Sequence, residues 1–239
     1  MPTAVEKLRI KIFSDGAKLD DLRALASLPY IQGFTTNPTL MKKAGIVDYE
    51  TFAREALRII NKKPISFEVF SDDFDQMRIQ ALKLAAFADN VYVKIPVTNT
   101  RGESSVNLIQ DLSRQGVKVN VTAILTLQQV SGVSRAVAHG TPSIISVFAG
   151  RIADTGRDPV PFMKKAHSAL KGIKTAELLW ASTREILNIH HAEGAGCQII
   201  TVPPELFKKL PLMGYDLDKL SLDTVRTFYE DARTSGFTL

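Results

Sequence analysis

The sequence predicts an α/β fold, a single (β/α)8 barrel with an additional C-terminal helix. Three observations predict it. Short β-branched and aromatic runs alternate with segments of helical period eight times within 239 residues. Composition identifies the runs (ISFEVF, VYVKIPV, VNVTAIL, IISVFA) better than strict alternation does. The turn after the first run, Ser14-Asp15-Gly16-Ala17, lacks the G-x-G-x-x-G pattern expected of the rival, a doubly wound open sheet.

Taken in order, the predicted strands cover 9–14, 33–36, 64–70, 90–97, 117–125, 143–149, 176–181 and 197–202. Leu19, Leu22, Leu25 and Leu28 mark the first helix, and Tyr49, Phe52, Ala53, Ala56 and Ile60 the second. The third carries Phe74, Met77 and Leu82. The fourth carries Val106, Ile109 and Leu112 and stops at Gly116. Leu127, Val130, Val133 and Val137 lead to Gly140, and Val160, Met163, Ala166 and Leu170 to Gly172. Ile186, Leu187 and Ile189 precede Gly194, and Leu206, Phe207 and Leu210 form the eighth. A further helix runs from about 217 to 235. Eight such units consume nearly the whole chain, so 1–239 reads as one barrel domain.

Composition excludes several function classes. With 45% hydrophobic and 23% charged residues, the chain has ample material for a core and is not disordered. No apolar run approaches the roughly 18–20 residues of a membrane span, so no membrane partner is expected. The net charge of +5 is scattered, with no basic block, which argues against nucleic acid and points weakly to anionic small ligands. One cysteine, Cys197, permits no internal disulfide, and MPTAVEKLRIKIF shows no leader-like apolar core, so a cytoplasmic location is expected. There is no H-E-x-x-H, EF-hand loop or C-x-x-C, so no metal is expected.

In a barrel, chemistry sits at the C-terminal ends of strands. The ends here carry Asp15, Thr35-Thr36-Asn37-Pro38, Glu68, Lys94, Asn120 with Thr122, Ser146 leading to Arg151, and Ser182 with Arg184. A charge in an apolar strand is costly unless paired. Lys94, inside Val91–Val97, reads in two ways. It is either a lysine that snorkels from an edge strand or pairs with Glu68, or a desolvated amine able to attack a ketone. Asp15 and Glu68 taken alone are ion-pair partners, and beside an amine nucleophile they suit acid–base work. Arg151 and Arg184 are surface arginines or a bidentate phosphate clamp, with Gly150 allowing close backbone approach. Adjacent His190 and His191 diverge on a helix and read as surface. Cys197 reads as core, and Trp180 as packing or a pocket wall. Asp72, Asp73 and Asp75 read as helix N-terminal charges.

The whole set resembles the transaldolase family of class I aldolases. The resembling segments, in order, are Gly33-Phe34-Thr35-Thr36-Asn37-Pro38-Thr39-Leu40, Val93-Lys94-Ile95-Pro96, Asn120-Val121-Thr122, Ser146-Val147-Phe148-Ala149-Gly150-Arg151-Ile152 and Ala181-Ser182-Thr183-Arg184. The resemblance implies that Lys94 forms a Schiff base with a ketose phosphate and Asp15 takes the C4 hydroxyl proton. Glu68 and Thr122, with an ordered water, shuttle protons. Thr35, Asn37, Asn120, Ser146 and Phe148 line the substrate, and Arg151, Ser182 and Arg184 hold its phosphate. It implies sugar-phosphate substrates, no cofactor, and a homo-oligomer (dimer, pentamer or decamer).

Within the family, the related fructose-6-phosphate aldolases release the three-carbon unit that transaldolases transfer. Those aldolases typically carry glutamine, lysine and tyrosine near Glu68, Arg184 and Leu125, so this chain resembles the transaldolases. Val147, Thr183, Trp180 and Glu185 depart from common family residues near the phosphate side that the resemblance implies. Three alternatives therefore stay open: a free aldolase, a transaldolase for an unusual ketose, and a barrel that binds sugar phosphates without turnover.

Overall fold

A computed structural model describes residues 8–138 and 140–238. Residues 1–7, on which most of the N-terminal reading rests, lie outside the described residues, as do His139 and Leu239.

The elements follow in order as β1 (Lys11–Asp15), α1 (Leu19–Ala26), β2 (Ile31–Thr35), α2 (Pro38–Lys43), α3 (Tyr49–Ile59), β3 (Ile65–Glu68), α4 (Phe74–Ala85), β4 (Val91–Pro96), α5 (Val106–Arg114) and β5 (Val119–Ile124). They continue as α6 (Leu127–Ala136), β6 (Ser143–Val147), α7 (Ala149–Asp154), α8 (Pro159–Ala169), β7 (Ala176–Trp180), α9 (Leu187–Gly194), β8 (Ile199–Val202), α10 (Pro204–Phe207) and α11 (Leu217–Ser235). The strands close into a barrel in sequence order, every neighbouring pair parallel. The predicted (β/α)8 fold and the C-terminal helix are both present.

The pleat sorts each strand into two faces. In β4, Val91, Val93 and Ile95 join the outer core with the helices, which leaves Tyr92 and Lys94 for the barrel interior. The interior packs Phe13, Ile144, Leu179, Ala181 and Ile199 together. The Phe13 ring fills the axis because β2 offers Gly33 there. A Cβ on Gly33 would stand 2.4 Å from the ring's Cζ. At the lower mouth, Lys11 Nζ pairs with Glu177 Oε1 at 2.6 Å. Apolar residues thus fill the middle of the barrel and close its lower half, leaving the polar strand ends facing upward.

Several element boundaries differ from the sequence expectation. Strand three ends at Glu68 rather than at 70, because only Val69 N–H still reaches the ladder, at Lys94 O (3.0 Å). Phe70 is exposed. Strand eight begins at Ile199, two residues after Cys197. Cys197 is nevertheless core, and burial pushes its thiol up to about 12. Two short helices, α2 and α7, fall where only strand ends were read, since six residues are too few to show a period. Asp73 caps α4 by accepting from Gln76 N–H, while Asp72 instead accepts from Thr100. Among the described residues, no helix is long and apolar enough to cross a membrane.

Candidate active site

A cavity of about 490 Å³ opens at the C-terminal ends of the strands. Eleven of the twelve predicted site residues line it, from Asp15 on β1 round to Arg184 beyond β7. Asn120 alone does not. It is fully buried beneath the wall, where its Nδ2 donates to Ser66 Oγ (3.0 Å) and its Oδ1 accepts from Ser146 Oγ (2.6 Å). The chain Ser146–Asn120–Ser66 ties β6, β5 and β3 together, with Ser146 itself on the cavity wall.

Lys94 stands at the bottom. The parallel register sets Glu68 and Asn120 on either side of it. Its Nζ lies 3.0 Å from Glu68 Oε2 and donates to Thr36 O at 2.7 Å, and the side chain is only 7% exposed. A closed barrel has no edge strand, so snorkelling does not arise. The Glu68 pairing is present, and it places a carboxylate within proton-transfer distance of a buried amine. Glu68 is steadied from outside the sheet by Tyr49 of α3, whose hydroxyl donates to Glu68 O (2.7 Å). Burial and the nearby Glu68 push the Tyr49 phenol upward, which keeps it a neutral donor.

The T-T-N-P-T segment has a local explanation. Thr35 points inward and donates to Asp15 Oδ1 (2.8 Å). Thr36 points outward and donates to Ser66 O (2.8 Å). Asn37 caps α2 by accepting from Leu40 N–H (2.9 Å), and Pro38 takes the first helical position, where no N–H is needed. Capping occupies Asn37 Oδ1, while its Nδ2 remains available at the cavity wall. Asp15 sits beside Thr35, its register partner across the ladder. Burial raises its carboxyl above the ordinary value, against the opposing pull of Lys94 and the Thr35 hydrogen bond.

On β5 the ladder with β6 slips between Val121 and Ile124, and Ala123 adopts φ +60°. Such a bulge re-aims its neighbours. Thr122 is thereby presented to the cavity, where its buried hydroxyl has no hydrogen-bond partner among the described residues.

The rim is built by close backbone contact. Ser182 adopts φ +64°, and a Cβ on Gly150 would fall 1.6 Å from Ser182 O. The close approach expected of Gly150 is therefore to the Ser182 backbone, which brings the arginines of α7 and the β7–α9 loop to one side of the mouth. Arg151 lies over the Phe148 ring at 5.3 Å. Arg184 is bidentate to Asp154, with Nε donating to Oδ1 at 3.1 Å and a second, very short contact from Nη2 to Oδ2. Asp154's carboxyl is held low by the Arg184 hydrogen bonds.

The remaining expectations sort by geometry. Trp180 is fully buried against the helices, 6.4 Å from the His191 ring, and does not line the cavity. Thr183 and Glu185 are likewise absent from the lining, as is Leu125, an exposed residue beyond β5. His190 is exposed, and among the described residues no His, Cys, Asp and Glu group could hold a metal.

Two site residues escaped the sequence reading. Asp154 was hidden in a helix too short to recognise. Thr201 is the polar residue of β8, the one strand whose end that reading left out, and the same rule applied there would have found it.

The mouth thus holds a buried lysine paired to a carboxylate at its floor and two arginines at its rim. The family model described as "Transaldolase/Fructose-6-phosphate aldolase" matches residues 12–239. The chain belongs to the transaldolase/fructose-6-phosphate aldolase family. A "Probable transaldolase 2" of Listeria monocytogenes is 37% identical over 203 residues, covering 84% of this chain and 88% of the relative. A "Probable transaldolase" of Streptococcus equi subsp. zooepidemicus is 35% identical over 227 residues, covering 93% and 97%. A solved structure of a "putative lyase/mutase" from Burkholderia cenocepacia superposes with a TM-score of 0.61 over 97% of this chain and 85% of that one, at 14% identity. That likeness speaks to the barrel alone.

Proposed function

We propose that this protein is a transaldolase, moving a dihydroxyacetone unit from a ketose phosphate to an aldose phosphate through a Schiff base on Lys94. The observation that carries the reading is the 3.0 Å pairing of buried Lys94 Nζ with Glu68 under a cavity ringed by Asp15 and two arginines. Glu68 takes a proton from Lys94, and the free amine adds to the C2 carbonyl of the donor. The carbinolamine oxygen leaves as water, with the proton supplied through Glu68 and the Thr122 hydroxyl. Asp15 removes the C4 hydroxyl proton, the C3–C4 bond breaks, and its electron pair flows into the iminium. An aldose phosphate leaves and an enamine remains on Lys94. The enamine attacks the acceptor aldehyde, and the steps reverse.

Incubation with fructose 6-phosphate followed by borohydride tests this. The expected result is a stable mass increase on Lys94, and its absence would sink the reading. Erythrose 4-phosphate separates the two family activities. Turnover that requires it is transfer, whereas free dihydroxyacetone without it is the lyase activity. Glu68 and Arg184 favour transfer, through the family resemblance.

Phosphate is held at the rim by Arg151, Arg184 and Ser182. Arg184→Ala removes a planar donor from that side while the floor stays intact, so the donor KM is expected to rise about 10–100-fold with kcat largely kept. A large kcat loss at unchanged KM would count against a ground-state clamp.

We also propose that the chain assembles with copies of itself through α11. No side chain of α11 is buried, yet it carries Leu217, Val225, Phe228 and Tyr229, all well exposed. The double substitution Phe228→Glu, Tyr229→Glu should reduce the mass measured by light scattering to that of a smaller species. An unchanged mass would rule out this helix as the contact.

A further inference from the structure

Thr201 enters neither the family segments nor the reaction steps above, yet it is placed against the proton acceptor. Its Oγ1 lies 2.6 Å from Thr35 Oγ1, and Thr35 Oγ1 lies 2.8 Å from Asp15 Oδ1. Both threonines are buried, at 4% and 2% exposure. A hydroxyl carries one hydrogen. The Asp15 carboxylate only accepts, so Thr35 spends its hydrogen there, and the short contact to Thr201 requires Thr201 to donate. The direction is therefore Thr201 to Thr35 to Asp15. Barrel closure makes this possible, because β1 pairs with β2 on one side and β8 on the other. Thr201 is itself pinned, since its carbonyl accepts from Thr183 Oγ1 at 2.7 Å.

We propose that Thr201 is a positioning residue for Asp15: by donating to Thr35 it fixes the Thr35 hydrogen on the carboxylate and orients Asp15 over the cavity. This rests on the reading of Asp15 as the group that takes the substrate's hydroxyl proton. The relay favours the ionised form, where it ends on a charged acceptor, and still leaves the protonated form satisfied. When Asp15 gains the proton, it donates to Thr35, Thr35 turns its hydrogen to Thr201, and Thr201 turns its own toward the cavity that it lines. Each threonine keeps its own hydrogen and only the hydroxyls rotate. No buried donor is left facing a donor in either state.

The other charges facing Asp15 are Lys94 from β4, Glu68 from β3 and Glu205 from α10. Thr201→Val leaves all three in place and is nearly isosteric, so it isolates the relay. The readout is the titration of the Asp15 carboxyl carbon by NMR in the unliganded protein, with Asp15→Asn identifying the signal. Loss of the relay weakens support for the ionised form, so Thr201→Val should move the midpoint upward by about half a pH unit. Thr201→Ser should restore it, and Thr35→Val should abolish any further effect of Thr201→Val. The acid limb of kcat/KM should move the same way. Thr201→Ala provides a second donorless variant should the valine disturb folding. An unmoved midpoint in the donorless variants, or an equal shift in the Thr35→Val background, overturns the proposal. The titration uses no substrate. Failure of the transaldolase reading would appear separately, as an absent borohydride adduct on wild-type Lys94.

Discussion

Lys94→Met is expected to lower turnover by at least about 10³-fold and to abolish borohydride trapping. Methionine matches the length and apolar character of the lysine stem, so the barrel floor should stay filled. What disappears is the amine, and with it the electron sink that, in the proposed reaction, accepts the pair from the breaking C3–C4 bond. The substitution also leaves Glu68, whose side chain is 15% exposed, without its ion partner. Breaking a buried pair is costly, although the open cavity above Glu68 lets water solvate the carboxylate. Circular dichroism and retained binding of fructose 6-phosphate must accompany the assay. Turnover within about tenfold of wild type would show that no covalent intermediate on Lys94 is needed.

Asp15→Asn is expected to lower kcat by about 10²–10⁴-fold with a smaller change in KM, since the amide accepts no proton from the C4 hydroxyl. It should also change how stability depends on pH. Burial raises the Asp15 carboxyl above its ordinary 3.8 in the folded protein, outweighing Lys94 and Thr35. The folded state therefore holds this proton more tightly than the unfolded chain does. As pH rises from 3.8 through the raised value, the folded state loses that advantage, and stability falls by Asp15's share. Asp15→Asn does not titrate, so this step should vanish from melts recorded across acid to neutral pH. Identical pH profiles for the two proteins would mean that Asp15 is not strained by its site. In the proposed reaction, a destabilising carboxylate at this position is the usual trade of stability for activity.

Lys94 stood out because a cation in VYVKIPV violates the apolar pattern, and a cation in such a strand is either paired or functional. Asp15, Glu68, Thr122 and Ser146 were found by asking which polar groups end strands. The same question found Asn120, but the structure buries it outside the cavity lining, where two neighbours occupy its amide. Trp180, which borders the rim segment in sequence, faces the helices. Asp154 was invisible because its meaning depends on Arg184, thirty residues away and brought near by the Gly150–Ser182 contact.

The sequence by itself determined the barrel, its strand order and the set of strand-end groups, because periodicity and composition are local and closure follows from eight repeated units. Only the tertiary structure decided which of those groups meet. The Lys94–Glu68 pairing depends on parallel register, the Thr122 presentation on a bulge, and the Thr201–Thr35–Asp15 relay on the first and last strands closing the ring. The +5 charge shows the same division. Its sum was readable from composition, but the pairing of Arg184 with Asp154, and of Lys94 with Glu68, required distances that no local pattern encodes.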